Sequence, residues 1–384
     1  MSPSSNRSIP VLRPQLPTAD ALLPYLRRVD GKRVYSNQGP LSLEFERRMC
    51  EFLNVEGGSF VAASNGTSAL AAAVLATAGR ATHERPLAAI PAFTFAATAS
   101  AVEQCGYIPH LIDVDPASWA MQPEAVLESK MLDRMGVVVP VAPYGRPQSQ
   151  KQWQTFQKHT AISVVFDGAA SFDRLTESQF LGELPVALSF SATKSFATGE
   201  GGAVATNDLG LGIRIRRALN FGFFLARESR SPSINGKMSE YHAAVGLAEL
   251  DGWTEKQKAL QDVAERYRTH AKRAGIAERI ITTPSLSSSY VLFAGQDDAE
   301  AVMVQAALSR QSIGSRLWYG TGLHREPYFA SLSRETLDVT DHLAPTLLGI
   351  PLAPDLSEEE IASVVGLVAY TVQAKRRVEG GTRA

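Results

Sequence analysis

Cysteine is nearly missing from this 384-residue chain: there are two, Cys50 and Cys105. Two thiols cannot build the multi-bridge framework of a small secreted domain, and spacing alone does not say whether they form one bridge. An excess of one charge is missing too, since 38 Lys and Arg stand against 39 Asp and Glu, a formal net charge of −1. That balance gives no general attraction to nucleic acid or to an anionic membrane. Long apolar runs are absent. The longest, residues 87–102, is interrupted by Pro91, Thr94, Thr98 and Ser100, whereas a membrane-spanning helix needs about 20 mostly apolar residues. The first residues, MSPSSNRSIPVLRP, carry an Arg with no apolar stretch behind it, unlike a secretory leader. No internal repeat and no low-complexity block is present. The cytoplasm is the expected compartment, with no nucleic-acid partner and no membrane attachment.

What the chain does hold is the composition of an ordinary core-forming protein, 45% hydrophobic and 20% charged. At roughly 100–200 residues per domain, this length suggests two or three packing units. Over the first two-thirds, strands are expected at 59–63, 87–90, 108–114, 137–140, 163–166 and 186–190. Helical patterns at 67–78, 96–105, 123–131 and 151–159 lie between several of them. Continuous Val/Ile/Leu runs suit strands covered on both faces of a mainly parallel sheet, and strand–helix alternation argues for an α/β architecture. After Gly202 the pattern changes: a strand at 203–206 and a basic helix at 212–220 precede one long helix from about 239 to 274. Then come a strand at 289–294, a helix at 298–311, a strand-like piece at 315–319 and a closing helix at 357–374. Ser357 and Glu360 match a capping box for that last helix. The final third reads as a smaller α+β domain hung from the long helix, giving an expected division into 1–250 and 251–384. The tail KRRVEGGTRA reads as a solvated, frayed end.

Three stretches place polar residues where strands end. In SNGTSAL, residues 64–70, a strand runs into a glycine-containing turn and a helix begins at once. Exposed N–H groups at a helix start attract anions, and Thr67 and Ser68 add hydroxyl donors, so the stretch can form a phosphate cup. Taken alone, it also describes an ordinary N-capped helix. It lacks the P-loop lysine, which argues against a nucleoside-triphosphate site. In VVFDGAASFD, Asp167 closes an apolar strand. Ligands of open α/β sheets sit beyond the carboxyl ends of the strands, where this carboxylate can meet a protonated ring nitrogen; capping the following turn is the alternative. In SFSATKSFATGEGGAVATND, residues 189–208, Lys194 follows an apolar strand in a loop of Ser, Thr and Gly. A partly desolvated lysine can lose its proton below the usual lysine range and attack carbonyls, whereas a solvated loop lysine does neither. Glu200 sits among glycines that allow tight turns beside a ligand, but the run does not match G-x-G-x-x-G, so a nicotinamide site is not supported. In order, anion cup, carboxylate and lysine form the set that pyridoxal phosphate (PLP) requires: a phosphate cradle, a pyridinium partner and a Schiff-base lysine.

At this point the chain resembles the DegT/DnrJ/EryC1/StrS group of PLP-dependent aminotransferases, often called sugar aminotransferases. The resemblance begins at SNQGPLSLEFERRMCEFLNV (36–55) and continues through SNGTSAL, PAFTFAATASAV, GYIPHLIDVD, PVAPYGRP, VVFDGAA, SFSATKSFATGEGGAV and NGKMSEYHAAVGLAEL. SIGSRLWYGTGLHREPYF and LGIPLAPDLSEEEI extend it through the last third. It implies an aspartate aminotransferase-like fold, PLP-dependent transferase type I, with a mostly parallel seven-stranded-type sheet in the large domain and a smaller C-terminal α+β domain. It implies that Lys194 holds the cofactor as a Schiff base and then shuttles a proton between substrate and cofactor carbons. Asp167 would keep the pyridine nitrogen protonated. Thr67 and Ser68 fall where the family binds phosphate, and Ser189 matches a further phosphate contact. Phe95 is placed like the aromatic residue that stacks on the pyridine face, while Phe93 reads as a core residue. Asn235 resembles the asparagine that reaches the phosphate of the neighbouring subunit, which implies a homodimer with shared active sites.

The chain departs from the family at Ala170, where Gln or His is usual, at Ala142, where His is often found, and at Gly236-Lys237, where Tyr-Arg is common. Relatives that dehydrate sugars carry His in place of the lysine, so Lys194 implies amination. The implied activity is transfer of the L-glutamate amino group, through the pyridoxamine form of the cofactor (PMP), to a nucleotide-linked 3-keto- or 4-keto-deoxyhexose. Such products serve polysaccharide or glycosylated-metabolite synthesis. A cyclitol or aminoshikimate-type carbonyl is the alternative acceptor, and a non-catalytic binding or regulatory relative is the other alternative. The seven histidines show no metal-ligand spacing, so no metal is expected. His324 lies in the segment the family places near the sugar-binding mouth, but reads more simply as a surface histidine.

Overall fold

The computed structural model describes residues 8–57, 60–176, 180–282 and 286–381. Two helices, α1 (Ala19–Lys32) and α2 (Pro40–Leu53), come first. α2 starts on a proline, whose missing N–H costs nothing at that position, and buried Glu240 accepts the N–H groups of Leu41 and Ser42. There follow β1 (Phe60–Ala63), α3 (Gly66–Thr77), β2 (Leu87–Pro91), α4 (Ala96–Gln104) and β3 (Ile108–Ile112). After them come α5 (Pro123–Leu127), β4 (Met135–Val138), α6 (Gln150–Thr160), β5 (Ser163–Val164) and β6 (Phe166–Asp167). The sheet is completed by β7 (Val186–Ser189) and β8 (Gly202–Ala205), with α7 (Leu209–Leu219) behind it.

The strands pair in the orders β1-β8-β7-β6 and β3-β2-β4-β5. Only Val165 separates β5 from β6, and the N–H groups of Val165 and Asp167 donate to Val138 and Pro140, carrying one ladder across both pieces. Counting those two pieces as one strand gives the order β1-β8-β7-β6/β5-β4-β2-β3, seven strands in which only β8 runs against its neighbours. The mostly parallel α/β sheet expected from the sequence is therefore present. Every residue of β1, β2 and β8 is buried, as it must be when helices cover both faces. α3 buries the whole run Ala69–Leu75, whose alanines let it lie close against the sheet and against α7.

Beyond the sheet lie α8 (Glu240–Asp251) and α9 (Trp253–Arg273), then β9 (Ile280–Ile281), β10 (Leu292–Ala294), α10 (Asp298–Arg310), α11 (Asp338–Leu343), β11 (Leu347–Gly349) and α12 (Glu358–Gly381). The second sheet, β11-β10-β9, is antiparallel. It shares a core with α9, α10 and α12 through Tyr267, Phe293, Leu308, Leu348, Val364 and Val368. The N-terminal segment threads this unit rather than the first: Ile9 bridges to Ile313 and Leu12 to Leu352.

Several expectations change in detail. The long helix of 239–274 is two helices, because the chain turns at Gly252 and buries Trp253 against Phe172 and Phe196. The piece at 315–319 is no strand; Arg316 makes one isolated bridge to Gly349. Of 289–294 only Leu292–Ala294 is strand, since Ser289 is drawn to the loop that carries Lys194. The helix at 123–131 ends at Leu127, and Ser129 turns to donate to Glu335. The tail is not frayed where it begins: α12 runs on to Gly381, and Lys375 pairs with Asp297 at the start of α10. Ser59, expected to open β1, and residues 1–7 and 382–384 lie outside the described residues. The Ser357–Glu360 capping box forms as expected, each N–H meeting the other's side chain. Both cysteines are unbridged and buried, and burial pushes the Cys105 thiol up to about 12. Among the described residues no helix is long and apolar enough to cross a membrane.

The core beneath the sheet is aromatic. Phe45, Phe60, Phe190 and Phe196 are fully buried, with ring centroids 5.3–6.3 Å apart. α8 approaches this cluster through Gly246, where an added Cβ would lie 2.8 Å from the Phe45 ring. Gly246→Ala should therefore destabilise the fold by about 1–3 kcal/mol, despite a helix-propensity gain of about 1 kcal/mol. Gly366→Ala, inside α12 with nothing within 4 Å of the added carbon, should stabilise it by about 0.5–1 kcal/mol. Opposite shifts of the urea midpoint in the two proteins would check both.

Candidate active site

The carboxyl ends of β1, β2, β4, β6 and β7 point to one side of the sheet, and a cavity of about 440 Å³ opens there. That is the side where open α/β sheets bind ligands, and the volume falls within the roughly 300–1,000 Å³ usual for small-molecule sites.

One wall is the start of α3. Asn65 caps the helix by accepting the Ser68 N–H at 2.8 Å, leaving Gly66 and Thr67 facing the cavity. Gly66 is required here, because a Cβ would fall 2.7 Å from the Ser189 Cβ. Gly202 is equally tight, since its Cβ would meet the Asn65 carbonyl at 2.6 Å. These glycines let the helix start, the end of β7 and the beginning of β8 converge on one point.

A second wall holds Asp167 at the end of β6, 8% exposed. Its Oδ2 accepts the Thr98 hydroxyl at 2.7 Å and its Oδ1 the Ala169 N–H at 3.0 Å. Thr98 stands one turn into α4 and is itself held by Thr94 at 2.7 Å. Burial pushes the Asp167 carboxyl above the usual carboxylate range; the Thr98 bond, the Ala169 N–H and the nearby Lys194 charge pull it back. Among the described residues no cation lies within ion-pair distance of it.

Lys194 emerges from a turn closed by hydrogen bonds from Lys194 N–H to Ser191 and from Ala192 N–H to Gly199. Its Nζ donates to the Tyr290 hydroxyl at 3.3 Å. Tyr290, Arg316, Trp318 and Tyr319 reach the cavity from the C-terminal unit. Tyr144 packs beneath them in a left-handed conformation, φ 53°, that a bulky side chain rarely adopts and that costs on the order of 1–3 kcal/mol. Its N–H donates to the Tyr319 hydroxyl, and the two rings stack with centroids 4.6 Å apart. The next residue, Gly145, has no room for a Cβ, which would touch Ser287 and the Ala170 carbonyl. The strained turn is thus wedged where the two units meet.

Of the residues singled out from the sequence, Thr67, Phe95, Asp167, Ser189 and Lys194 line this one cavity. Ser68 does not: its N–H is held by the Asn65 cap and its Cβ faces Gly236. Asn235 also lies outside the cavity lining, its side-chain oxygen accepting from Lys237 at 2.6 Å. Phe95 is 61% exposed, whereas Phe93 is buried among Tyr144 and Tyr319, a core residue as expected. Ala142 and Ala170 both line the cavity. His324 is no surface histidine; it is buried and its Nε2 meets Asp341 at 2.7 Å. Sequence reasoning missed Thr98, Tyr290, Arg316, Trp318 and Tyr319. Thr98 was within reach, one helical turn from Phe95; the other four come from stretches whose use depends on how the C-terminal unit docks.

This donor set fits PLP. The cradle at Gly66 and Thr67 presents helix-start N–H groups and a hydroxyl to an anion. Among the described residues the buried Asp167 has two donors and no cation at ion-pair distance, the setting in which a protonated ring nitrogen offsets the cost of burial. Lys194 reaches the same space.

Comparison with known proteins gives the same answer. Residues 19–369 match the DegT/DnrJ/EryC1/StrS aminotransferase family. The Mycobacterium tuberculosis protein Rv3402c is 32% identical over 375 residues, spanning 94% of this chain and 89% of that protein. The Escherichia coli dTDP-4-amino-4,6-dideoxy-D-glucose transaminase is 28% identical over 375 residues, 95% of this chain and 99% of the enzyme. The crystal structure of DesI in the presence of its TDP-sugar product superposes with a TM-score of 0.85 at 28% identity, covering 98% of this chain and 96% of DesI. With the lysine, the carboxylate and the anion cradle meeting in one cavity, the chain belongs to the DegT/DnrJ/EryC1/StrS aminotransferase family and is a PLP-dependent aminotransferase.

Proposed function

We propose that this aminotransferase moves the amino group of L-glutamate to a keto sugar, a nucleotide-linked 3-keto- or 4-keto-deoxyhexose, for polysaccharide or glycosylated-metabolite synthesis. The observation that carries the reading is the placement of Lys194 and Asp167 on one cavity that is also lined by Tyr290, Trp318 and Tyr319. Aromatic faces of this kind offer apolar surface to a sugar ring. The Escherichia coli relative is named for a dTDP-linked aminodideoxyglucose, and DesI was crystallised with a TDP-sugar, which supports the nucleotide-linked acceptor.

PLP, when bound, supplies an electron-withdrawing ring that stabilises negative charge at the substrate carbon losing its proton. The chain's residues would hold it and move the proton. Thr67, Ser189 and the helix start before Ser68 bind the phosphate. Phe95 covers the ring face, and Asp167, held by Thr98, keeps the ring nitrogen protonated. Lys194 Nζ takes the proton from one carbon and returns it to the other, from a position set by its turn. Asn235 would serve the cavity of a second copy, making a homodimer with shared sites; its place outside this chain's own cavity and the exposure of Phe95 support that arrangement. Ala142 and Ala170 support one second reading, a non-nucleotide carbonyl such as a cyclitol ketone, because they leave the cavity wall without the usual polar side chains.

The purified protein with added PLP should show a visible absorption band that bleaches with L-glutamate, and Lys194→Ala should show neither. A band that does not bleach would overturn the donor assignment, and screening keto sugars against the aminated protein would identify the acceptor. Thr98→Val removes a hydrogen bond that favours the Asp167 carboxylate, so it should raise that pKa further. Activity near neutral pH should fall on the order of 10- to 100-fold and recover in part as pH rises, because such a bond to a charged group contributes about 1.5–3 kcal/mol. A flat pH dependence of the loss would sink this account of Thr98.

A further inference from the structure

Lys194 makes one side-chain hydrogen bond among the described residues, to a hydroxyl from the other unit of the molecule. We propose that Tyr290 is the positioning residue of Lys194: its hydroxyl accepts one N–H of the amine and turns the remaining valences towards the cavity. This rests on reading Lys194 as the cofactor-binding lysine.

The geometry around the pair is over-determined. Tyr290 is 8% exposed, with its ring held edge-on by Tyr144 at 5.1 Å and Trp318 at 5.7 Å. Its loop is fastened to the large unit at three successive residues. The Ser287 N–H donates to the Tyr144 carbonyl at 3.0 Å. The Ser288 N–H and hydroxyl both donate to buried Asp173, at 2.8 and 2.6 Å. The Ser195 N–H donates to the Ser289 hydroxyl at 2.9 Å, one residue along from the Lys194–Tyr290 contact in both loops. Two adjacent cross-links therefore fix the direction of the lysine as well as its distance. A lysine side chain has many rotamers, so an amine left to water would sample many orientations. A phenol hydroxyl can accept from the amine whichever charge it carries, because it keeps an acceptor lone pair throughout.

Other charges face Lys194 as well. Asp167, Glu200 and Arg316 share its cavity, along with Tyr319, and Arg13 and Lys256 line the adjoining cleft behind its loop.

The test adds PLP to the purified protein and times the rise of the visible band, then times its bleaching by L-glutamate. Tyr290→Phe keeps the ring and removes the acceptor. Its band should rise about 3- to 10-fold more slowly, because an unheld amine spends less time aimed at the cavity. The rate constant for bleaching should fall about 3- to 10-fold as well, while the glutamate concentration that gives half the full rate holds. Tyr290→His, which restores an acceptor, should lie between the two and stands in if the Phe protein does not fold. Unchanged rates of rise and bleaching in a folded variant, with or without a lower melting temperature, overturn the proposal. Absence of a visible band when wild-type protein meets PLP would instead overturn the reading of Lys194, whatever Tyr290 does.

Discussion

Burial of the Asp167 carboxylate with no cation at ion-pair distance among the described residues is the constraint on which the site depends. A desolvated carboxylate is costly unless it is hydrogen-bonded and paired. Two donors, Thr98 and the Ala169 N–H, hold it, and the Lys194 charge acts on it from further off. That incompleteness explains much of the surrounding architecture. β6 carries the aspartate to the sheet's carboxyl edge, α4 begins where Thr94 and Thr98 can hold it, and the rest of the cavity is arranged around the space it faces.

Close backbone approach is the second requirement. Gly66, Gly202 and Gly145 each stand where a Cβ would collide with backbone or with a short, rigid side chain. The first two bring the start of α3 against β7 and β8 at the edge of the cavity. The third lets the strained Tyr144 turn seat against Ser287, and so docks the C-terminal loop over Lys194. The backbone strain of Tyr144 is held by full burial, by the Tyr319 hydroxyl and by the stacked ring. The geometry of the cavity and the junction between the two units are thus parts of one packing problem.

How much of this was legible beforehand depended on range. The α/β class followed from unbroken apolar strands, whose burial on both faces needs no knowledge of neighbours. Asp167 stood out because it ends an apolar run, and Lys194 because it follows one in a loop of Ser, Thr and Gly; both are local signals. Ser68 looked equivalent to Thr67 in the sequence, yet they separate in space: the Asn65 cap takes the Ser68 N–H and only Thr67 faces the cavity. His324 carries no mark of burial in its local sequence; its place depends on Asp341, 17 positions along. The break at Gly252 was missed because helix periodicity continues on both sides, while the burial of Trp253 is a tertiary matter.

By itself, then, the sequence determined what local chemistry can express: the strand–helix alternation, the caps, the glycines that permit close turns, and the identities of the lysine and the carboxylate. Tertiary structure alone decided which hydroxyl meets Lys194, which threonine holds Asp167, and that residues 9–12 belong with the C-terminal unit. The physical reason is that propensity and periodicity act over one or two turns of chain. Contacts such as Tyr290 to Lys194 join residues 96 positions apart and exist only once the C-terminal unit packs against the sheet's carboxyl edge.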